Sequence, residues 1–269
     1  MPVFIDQLNR EVHVSSAPKR IVSLVPSQTE LLYDLGLEEE VIGITKFCLH
    51  PQEWFRTKTR VGGTKKIDFE KIKNLAPDLI IGNKEENEQL QIEELMKMYP
   101  VWMSDIYTLD DAFQMILKLG EVLHKGEKAK ALTQKIGTAF GELSEFIQQA
   151  ASGEKSVAYF IWRRPYMVAG AHTFIDHMLT CCGFKNVFST DTFVRYPEIN
   201  PVQLSVASPD YLLLSSEPYP FKEKHIAEFQ AICPTAKIIT VDGELFSWYG
   251  SRLIHSPGYF RQLIQSLSR

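Results

Sequence analysis

Short apolar runs alternate with amphipathic stretches along this chain, and the pattern changes once, near its middle. Ile21-Val22-Ser23-Leu24-Val25, Val41-Ile42-Gly43-Ile44, Leu79-Ile80-Ile81 and Val101-Trp102-Met103 predict buried strands. Helices are predicted between them: one from Ser27-Gln28-Thr29-Glu30, an S-x-x-E capping box, to Leu35, one over 68–75, and a charged one over 85–98. Residues 4–14 alternate around Asn9-Arg10 and predict a short hairpin that covers a sheet edge.

The middle is different. Over 108–151 the pattern is helical throughout, and Leu132, Ile136, Ala139, Phe140, Leu143, Phe146 and Ile147 recur at spacings of three and four as one apolar stripe. No proline interrupts it. A continuous helix over 126–150 would be roughly 37 Å long at about 1.5 Å per residue, enough to join two lobes as a strut.

Beyond it the alternation resumes. Strands are predicted at Val157-Ala158-Tyr159-Phe160-Ile161, Asn186-Val187-Phe188, Tyr211-Leu212-Leu213-Leu214 and Lys237-Ile238-Ile239-Thr240-Val241, with helices over 173–182, 201–207, 222–231 and 257–267. Part of the first half recurs in the letters. E-K-I-K-N-L-A-P-D-L-I-I from Glu70 and V-Q-L-S-V-A-S-P-D-Y-L-L from Val202 share a helix, a Pro-Asp break and a buried strand. The expected fold is therefore α/β, with two Rossmann-like lobes of parallel sheet, 1–107 and 152–269, joined by a helical backbone over 108–151. Ligands of open α/β sheets bind beyond the carboxyl ends of the strands, so the cleft between the lobes is the expected site.

Composition narrows the class. With 269 residues, 45 % hydrophobic and 23 % charged, the chain can bury one large or two smaller cores. Its net charge of −4 gives no reason to expect nucleic acid or an anionic membrane as partner. No apolar run approaches the roughly 20 residues that span a bilayer, and Met1-Pro2-Val3-Phe4-Ile5-Asp6 lacks the basic start of a secretion signal. As written the chain is expected in the cytoplasm; with a leader trimmed it would belong outside, periplasmic or membrane-anchored. Cys48, Cys181, Cys182 and Cys233 make no C-x-x-C spacing and are expected as reduced, mostly buried thiols.

Two loops at predicted strand ends mix guanidinium groups with rings. Trp162-Arg163-Arg164-Pro165-Tyr166 follows one strand, and Phe246-Ser247-Trp248-Tyr249-Gly250-Ser251-Arg252 follows the last. Arginine forks suit carboxylates and phosphates, and the rings offer apolar faces. The plainer alternative is arginines paired with nearby acids. In the first half Ser27 is read first as a helix cap, while Phe47 to His50, Gly63-Thr64-Lys65-Lys66 and Asn83 to Asn87 follow strands. His172 and His177 lie five residues apart, and no histidine spacing signals zinc, although His50 and His172 could reach the metal of a bound molecule. P-loop, G-x-G-x-x-G, G-x-S-x-G, H-E-x-x-H and kinase signatures are all missing, so binding fits better than catalysis.

Pro18-Lys19-Arg20-Ile21-Val22-Ser23-Leu24-Val25-Pro26-Ser27-Gln28-Thr29-Glu30-Leu31, His50-Pro51, Leu75-Ala76-Pro77-Asp78-Leu79-Ile80, the long helix and Ser208-Pro209-Asp210 together resemble the substrate-binding proteins of ABC importers for vitamin B12, haem and iron–siderophores. The cobalamin-binding branch is the most similar. That resemblance implies the helical-backbone, class III periplasmic-binding-protein architecture, a non-catalytic monomer without a cofactor of its own, and a cobalamin or corrinoid, haem or ferric siderophore as ligand. By position it places contacts near His50, Thr64, Tyr166, Tyr196 and Trp248, of which His50 and Thr64 depart from the aromatic residues expected. Trp162, Arg163, Arg164, Tyr249 and Arg252 would complete the site. The family docks on its permease dimer through one acidic residue per lobe. Glu70 fits the first; its repeat partner is Val202, with Glu198 the nearest acid. The resulting expectation is a receptor for ABC-type import. A cytoplasmic corrinoid, haem or chelate carrier or sensor is the alternative, and an enzyme acting on a tetrapyrrole a more distant one.

Overall fold

The computed structural model describes residues 1–14, 17–149, 153–190 and 194–267. They belong to two compact units. Unit 1 comprises Met1–Ile106, Asp110–Lys135 and Tyr249–Arg252; unit 2 comprises Tyr107–Leu109, Ile136–Trp248 and Leu253–Arg269.

Unit 1 opens with the antiparallel hairpin of β1 (Val3–Ile5) and β2 (Glu11–His13), turned at Asn9 with φ 59°. The buried Asp6 carboxylate holds that turn by accepting from the Leu8 and Arg10 amides and the Arg10 guanidinium. The Gln7 amide donates to the Met103 carbonyl, so the hairpin lies along a sheet edge. There follow β3 (Ile21–Ser23), α1 (Pro26–Asp34), β4 (Val41–Ile44), α2 (Gln52–Thr57), β5 (Thr59–Arg60), α3 (Phe69–Leu75), β6 (Leu79–Asn83), α4 (Gln89–Met96) and β7 (Val101–Ser104). The strands form one parallel sheet in the order β5-β4-β3-β6-β7. β3, β6 and β7 are buried along their whole length, as strands covered on both faces must be.

The predicted capping box is corrected. Pro26 occupies the first helical position, where its fixed φ and missing N–H suit a helix start, and Val25 becomes the cap without a side-chain bond. Ser27, Gln28 and Thr29 are thereby drawn into the buried first turn. The helix expected over 85–98 is shorter for a related reason: Asn83 Oδ1 accepts from the Glu85 and Glu86 amides, which makes a turn of that segment before α4 begins.

The helical middle divides into α5 (Leu109–Val122) and α6 (Gly126–Gln149). His124, at φ 55°, turns the chain between them. α6 is one unbroken helix of 24 residues, roughly 36 Å at about 1.5 Å per residue. Its residues through Lys135 belong to unit 1 and those from Ile136 to unit 2. Ile136, Phe140 and Leu143 of the predicted stripe are buried. The last part of the predicted backbone, 150–151, lies outside the described residues.

Unit 2 contains β8 (Lys155–Trp162), β9 (Tyr166–Val168), α7 (Phe174–Cys181), β10 (Phe184–Asn186), β11 (Glu198–Ile199), α8 (Pro201–Ala207), β12 (Tyr211–Ser215), α9 (Ile226–Ile232), β13 (Lys237–Val241), α10 (Glu244–Ser247) and α11 (Ser256–Leu267). β10, β8, β12 and β13 run parallel. β9 and β11 add antiparallel pairings, so the second sheet is mixed where a purely parallel one was expected. β8 serves two neighbours along one edge, β10 along Lys155 to Val157 and β9 from Phe160 to Trp162. The predicted loop 162–166 is thus the turn of a hairpin. β10 forms earlier than the predicted 186–188 because it pairs with the first residues of β8.

The repeat seen in the letters is a repeat of backbone. α3 and α8 end in left-handed caps at Ala76 (φ 43°) and Ser208 (φ 42°). Asp78 accepts from the amides of Lys19 and Arg20 at 2.7 and 2.9 Å, ahead of β3. Asp210 accepts from the Ser156 amide and hydroxyl, both at 2.8 Å, at the start of β8. Each aspartate therefore fixes the entry of the neighbouring strand. Among the described residues no helix is long and apolar enough to cross a membrane.

Candidate functional site

At the carboxyl end of β8, the turn into β9 gathers Trp162, Arg163 and Tyr166. Arg163 is held by Glu228 of α9: its Nε and Nη2 lie 2.9 and 2.5 Å from Oε2. Tyr166 donates its hydroxyl to the other oxygen, Oε1, at 2.5 Å. Both carboxylate oxygens are therefore engaged. Partial burial pushes the Glu228 carboxyl up, but the bonds from Arg163 and Tyr166 and the arginine charge outweigh it and hold the carboxyl below its usual range. Burial and the bond to Glu228 push the Tyr166 phenol up to about 12.

Packing fixes this cluster from below. Phe229, fully buried, lies 4.7 Å from Phe160 and 5.2 Å from Tyr166 between ring centroids, and Phe221 lies 5.9 Å from Phe229. Tyr219 joins from the chain beyond β12, its ring 5.7 Å from Trp162 in an edge-on contact. His225 is buried nearby, with Nδ1 accepting from the Lys222 amide at 2.9 Å. Burial and the charges of Arg163 and Lys224 lower its pKa. Trp162 remains 39 % exposed with Nε1 donating to the Arg164 carbonyl at 3.1 Å, and the Arg164 side chain is exposed.

The second predicted loop is ordered by α10 and a 3₁₀ turn over Ser251–Ile254. Trp248 is buried in unit 2, and its Nε1 donates to Glu217 Oε1 at 2.9 Å, the same oxygen that accepts from Ser247 Oγ at 2.9 Å. Burial raises the Glu217 pKa against the pull of those bonds. Tyr249 and Arg252 belong to unit 1, where Tyr249 is buried and Arg252 forks onto Glu30. Arg163 and Arg252, both read as partners for a ligand anion, thus hold carboxylates of the protein.

The other predicted residues are dispersed. In unit 1, His50 is half-buried between β4 and α2, and Thr64 offers its carbonyl to Asn87 Nδ2 at 3.0 Å. In unit 2, Tyr196 is half-buried ahead of β11, and His172, at φ 58°, is exposed ahead of α7. Glu70 on α3 and Glu198 on β11 are exposed. No group of three or more His, Cys, Asp or Glu among the described residues is placed to hold a metal ion. Cys48, Cys182 and Cys233 are buried, Cys181 half-buried, and all four are free thiols. Glu228, Glu217 and Tyr219 were missed in the sequence. Tyr219 had a signal, an aromatic between two prolines after a strand, whereas the acids gain their meaning only from their partners.

A parallel sheet in the first unit, a mainly parallel one in the second, crossover helices in both, and one helix running from the first unit into the second define the class III solute-binding architecture. The sequence profile of the periplasmic binding protein family matches residues 21–232, and the chain belongs to that family. Its members bind solutes, and this chain is a solute-binding protein and not an enzyme. The vitamin B12-binding protein of Pectobacterium atrosepticum is 28 % identical over 244 residues, 88 % of this chain and 85 % of that one. The solved periplasmic vitamin B12-binding protein BtuF of Vibrio cholerae matches with TM-score 0.79 and 21 % identity over 94 % of this chain and 98 % of that one. The periplasmic heme-binding protein BhuT, solved with two hemes, matches with TM-score 0.80 and 20 % identity over 93 % and 99 %.

Proposed function

We propose that this protein is the monomeric solute receptor of an ABC-type importer, working outside the cytoplasmic membrane, with a cobalamin or other corrinoid as its cargo; haem and ferric siderophores are the related candidates. The similarity to vitamin B12-binding proteins over 88 % of the chain carries the reading. The hairpin turn of unit 2 supports it, because Trp162, Tyr219 and Arg164 offer ring faces and positive charge suited to a conjugated macrocycle with polar substituents. Titration with cyanocobalamin, cobinamide, haem and ferric siderophores, followed by Trp fluorescence, tests it. Saturable quenching by a corrinoid is expected, since Trp162 is accessible to a chromophore; quenching by none of these compounds would overturn the reading.

A carrier not coupled to a permease is the second reading, and one observation favours it. α3 carries Glu70 on its surface, whereas α8 carries Val202, 71 % exposed, at the equivalent place, and Glu198 lies outside that helix on β11. A single charged contact weakens electrostatic docking. With the permease dimer reconstituted in vesicles, Glu70→Arg should lower uptake and leave cargo affinity unchanged under the import reading. Uptake that the unaltered protein fails to stimulate, while it still binds the cargo, supports the carrier.

A further inference from the structure

The turn between β8 and β9 carries two adjacent arginines in opposite circumstances. Arg163 gives Nε and Nη2 to Glu228, whose second oxygen is taken by Tyr166. With side chains only 25 % and 28 % exposed, drawing Arg163 onto an outside anion would strand a half-buried carboxylate beside that anion. The pair is neutral as a unit. Arg164 is exposed and enters no ion pair among the described residues, while its carbonyl accepts from Trp162 Nε1, so one turn carries both that indole and that guanidinium. Building on the cargo class argued above, we propose that Arg164 alone supplies the anion contact of this turn, selecting ring compounds with a peripheral carboxylate or phosphate, and that Arg163 is a positioning residue that cancels Glu228.

Matched probes test this by fluorescence titration: haem against its dimethyl ester, and cobalamin, with its phosphodiester, against cobinamide, which lacks that group. Arg164→Gln should weaken the member of the bound pair that carries the anionic group, the charged probe, at least about tenfold and the counterpart lacking that group less than about threefold. Arg163→Gln exposes the charge of Glu228 and should also weaken the charged probe, but the double variant Arg163→Gln with Glu228→Gln should restore its affinity to within about threefold. Restoration separates a positioning role from contact, because a residue touching the probe could not be rescued by neutralising its partner. Circular dichroism and thermal melting establish that each variant is folded. The assignment is overturned if Arg164→Gln leaves the charged probe unaffected while the unaltered protein binds it, or if the folded double variant stays as weak as Arg163→Gln. If the unaltered protein binds none of the four probes, the cargo reading falls and the assignment with it.

Discussion

Arg252 and Glu30, 222 residues apart in sequence, form a two-pronged ion pair in unit 1, with Arg252 Nε and Nη2 2.8 and 2.6 Å from the two carboxylate oxygens. The side chains are only 16 % and 19 % exposed, so water screens the pair little. Arg252→Ala leaves Glu30 half-desolvated and unpaired and should cost about 2 kcal/mol of stability. Glu30→Ala should cost a similar amount, and the double variant clearly less than the sum, because the two changes remove one interaction. Urea unfolding of the three variants measures this. Strictly additive losses would mean the pair contributes nothing as a pair.

Two residues earlier in the chain, Gly250 lies against the first turn of α1. A Cβ built there would meet the Ser27 carbonyl oxygen at 2.5 Å and Leu31 Cβ at 3.3 Å. The obstacle is backbone, which cannot rotate aside. Gly250→Ala should therefore destabilise by about 1–3 kcal/mol through overpacking, although alanine is the smallest possible addition. A melting temperature equal to that of the unaltered protein would show that the Tyr249–Arg252 segment lifts off at little cost.

Much of this was legible in the letters because it depends on local pattern. Continuous apolar runs marked β3, β6, β7, β8 and β12, and a proline-free stripe marked α6. Pro77-Asp78 and Pro209-Asp210 marked a repeat whose helix caps and strand entries agree in detail. What was not legible depends on partners distant in sequence. Nothing near Arg163 announces Glu228, 65 residues on, and nothing near Arg252 announces Glu30. Two-residue and three-residue strands such as β11 and β9 exist only through their pairing, so no periodicity could reveal them. The Ser27 capping signal failed because Pro26 outcompetes it for the first helical position.

Asp210 ties α8 to β8 and should make stability depend on acid. The amide and hydroxyl of Ser156 hold its carboxyl below the usual range. A depressed folded pKa contributes stability that is complete above the unfolded value near 4 and is lost as pH falls through the folded value. Asp210→Asn should cost about 1 kcal/mol at neutral pH, a modest figure because the group is exposed, and almost nothing near pH 2. Chemical unfolding of both proteins across that range gives the difference, and a gap constant with pH would rule out the carboxylate as its source.

At the alkaline end the dependence reverses, and two buried or half-buried tyrosines contribute to it, alongside Tyr259 and the cysteine thiols, whose pKa values burial also raises. Tyr159 is fully buried with its hydroxyl donated to Ser215 Oγ at 3.1 Å, and burial raises its pKa well above the ordinary value. Tyr166 is raised to about 12, by burial first and by Glu228 second. Below pH about 10 both phenols keep their protons whether the chain is folded or not, so their contribution to stability is complete there. Between about 10 and 12 the unfolded chain releases those protons while the folded one retains them, which draws the equilibrium towards unfolding. Stability should accordingly fall as pH rises through this window. Tyr159→Phe should flatten the fall, since the substituted position has no proton to lose, and Tyr166→Phe should flatten it less because its folded pKa is closer to the unfolded one. At pH 7 the order of cost differs in origin: Tyr166→Phe frees an acceptor on Glu228 and should lose about 1–2 kcal/mol. Urea midpoints at pH 7, 9 and about 11, with phenolate absorbance recorded on the same samples, separate these effects. An alkaline slope unchanged by Tyr159→Phe would show that the buried phenol is not what the folded state protects.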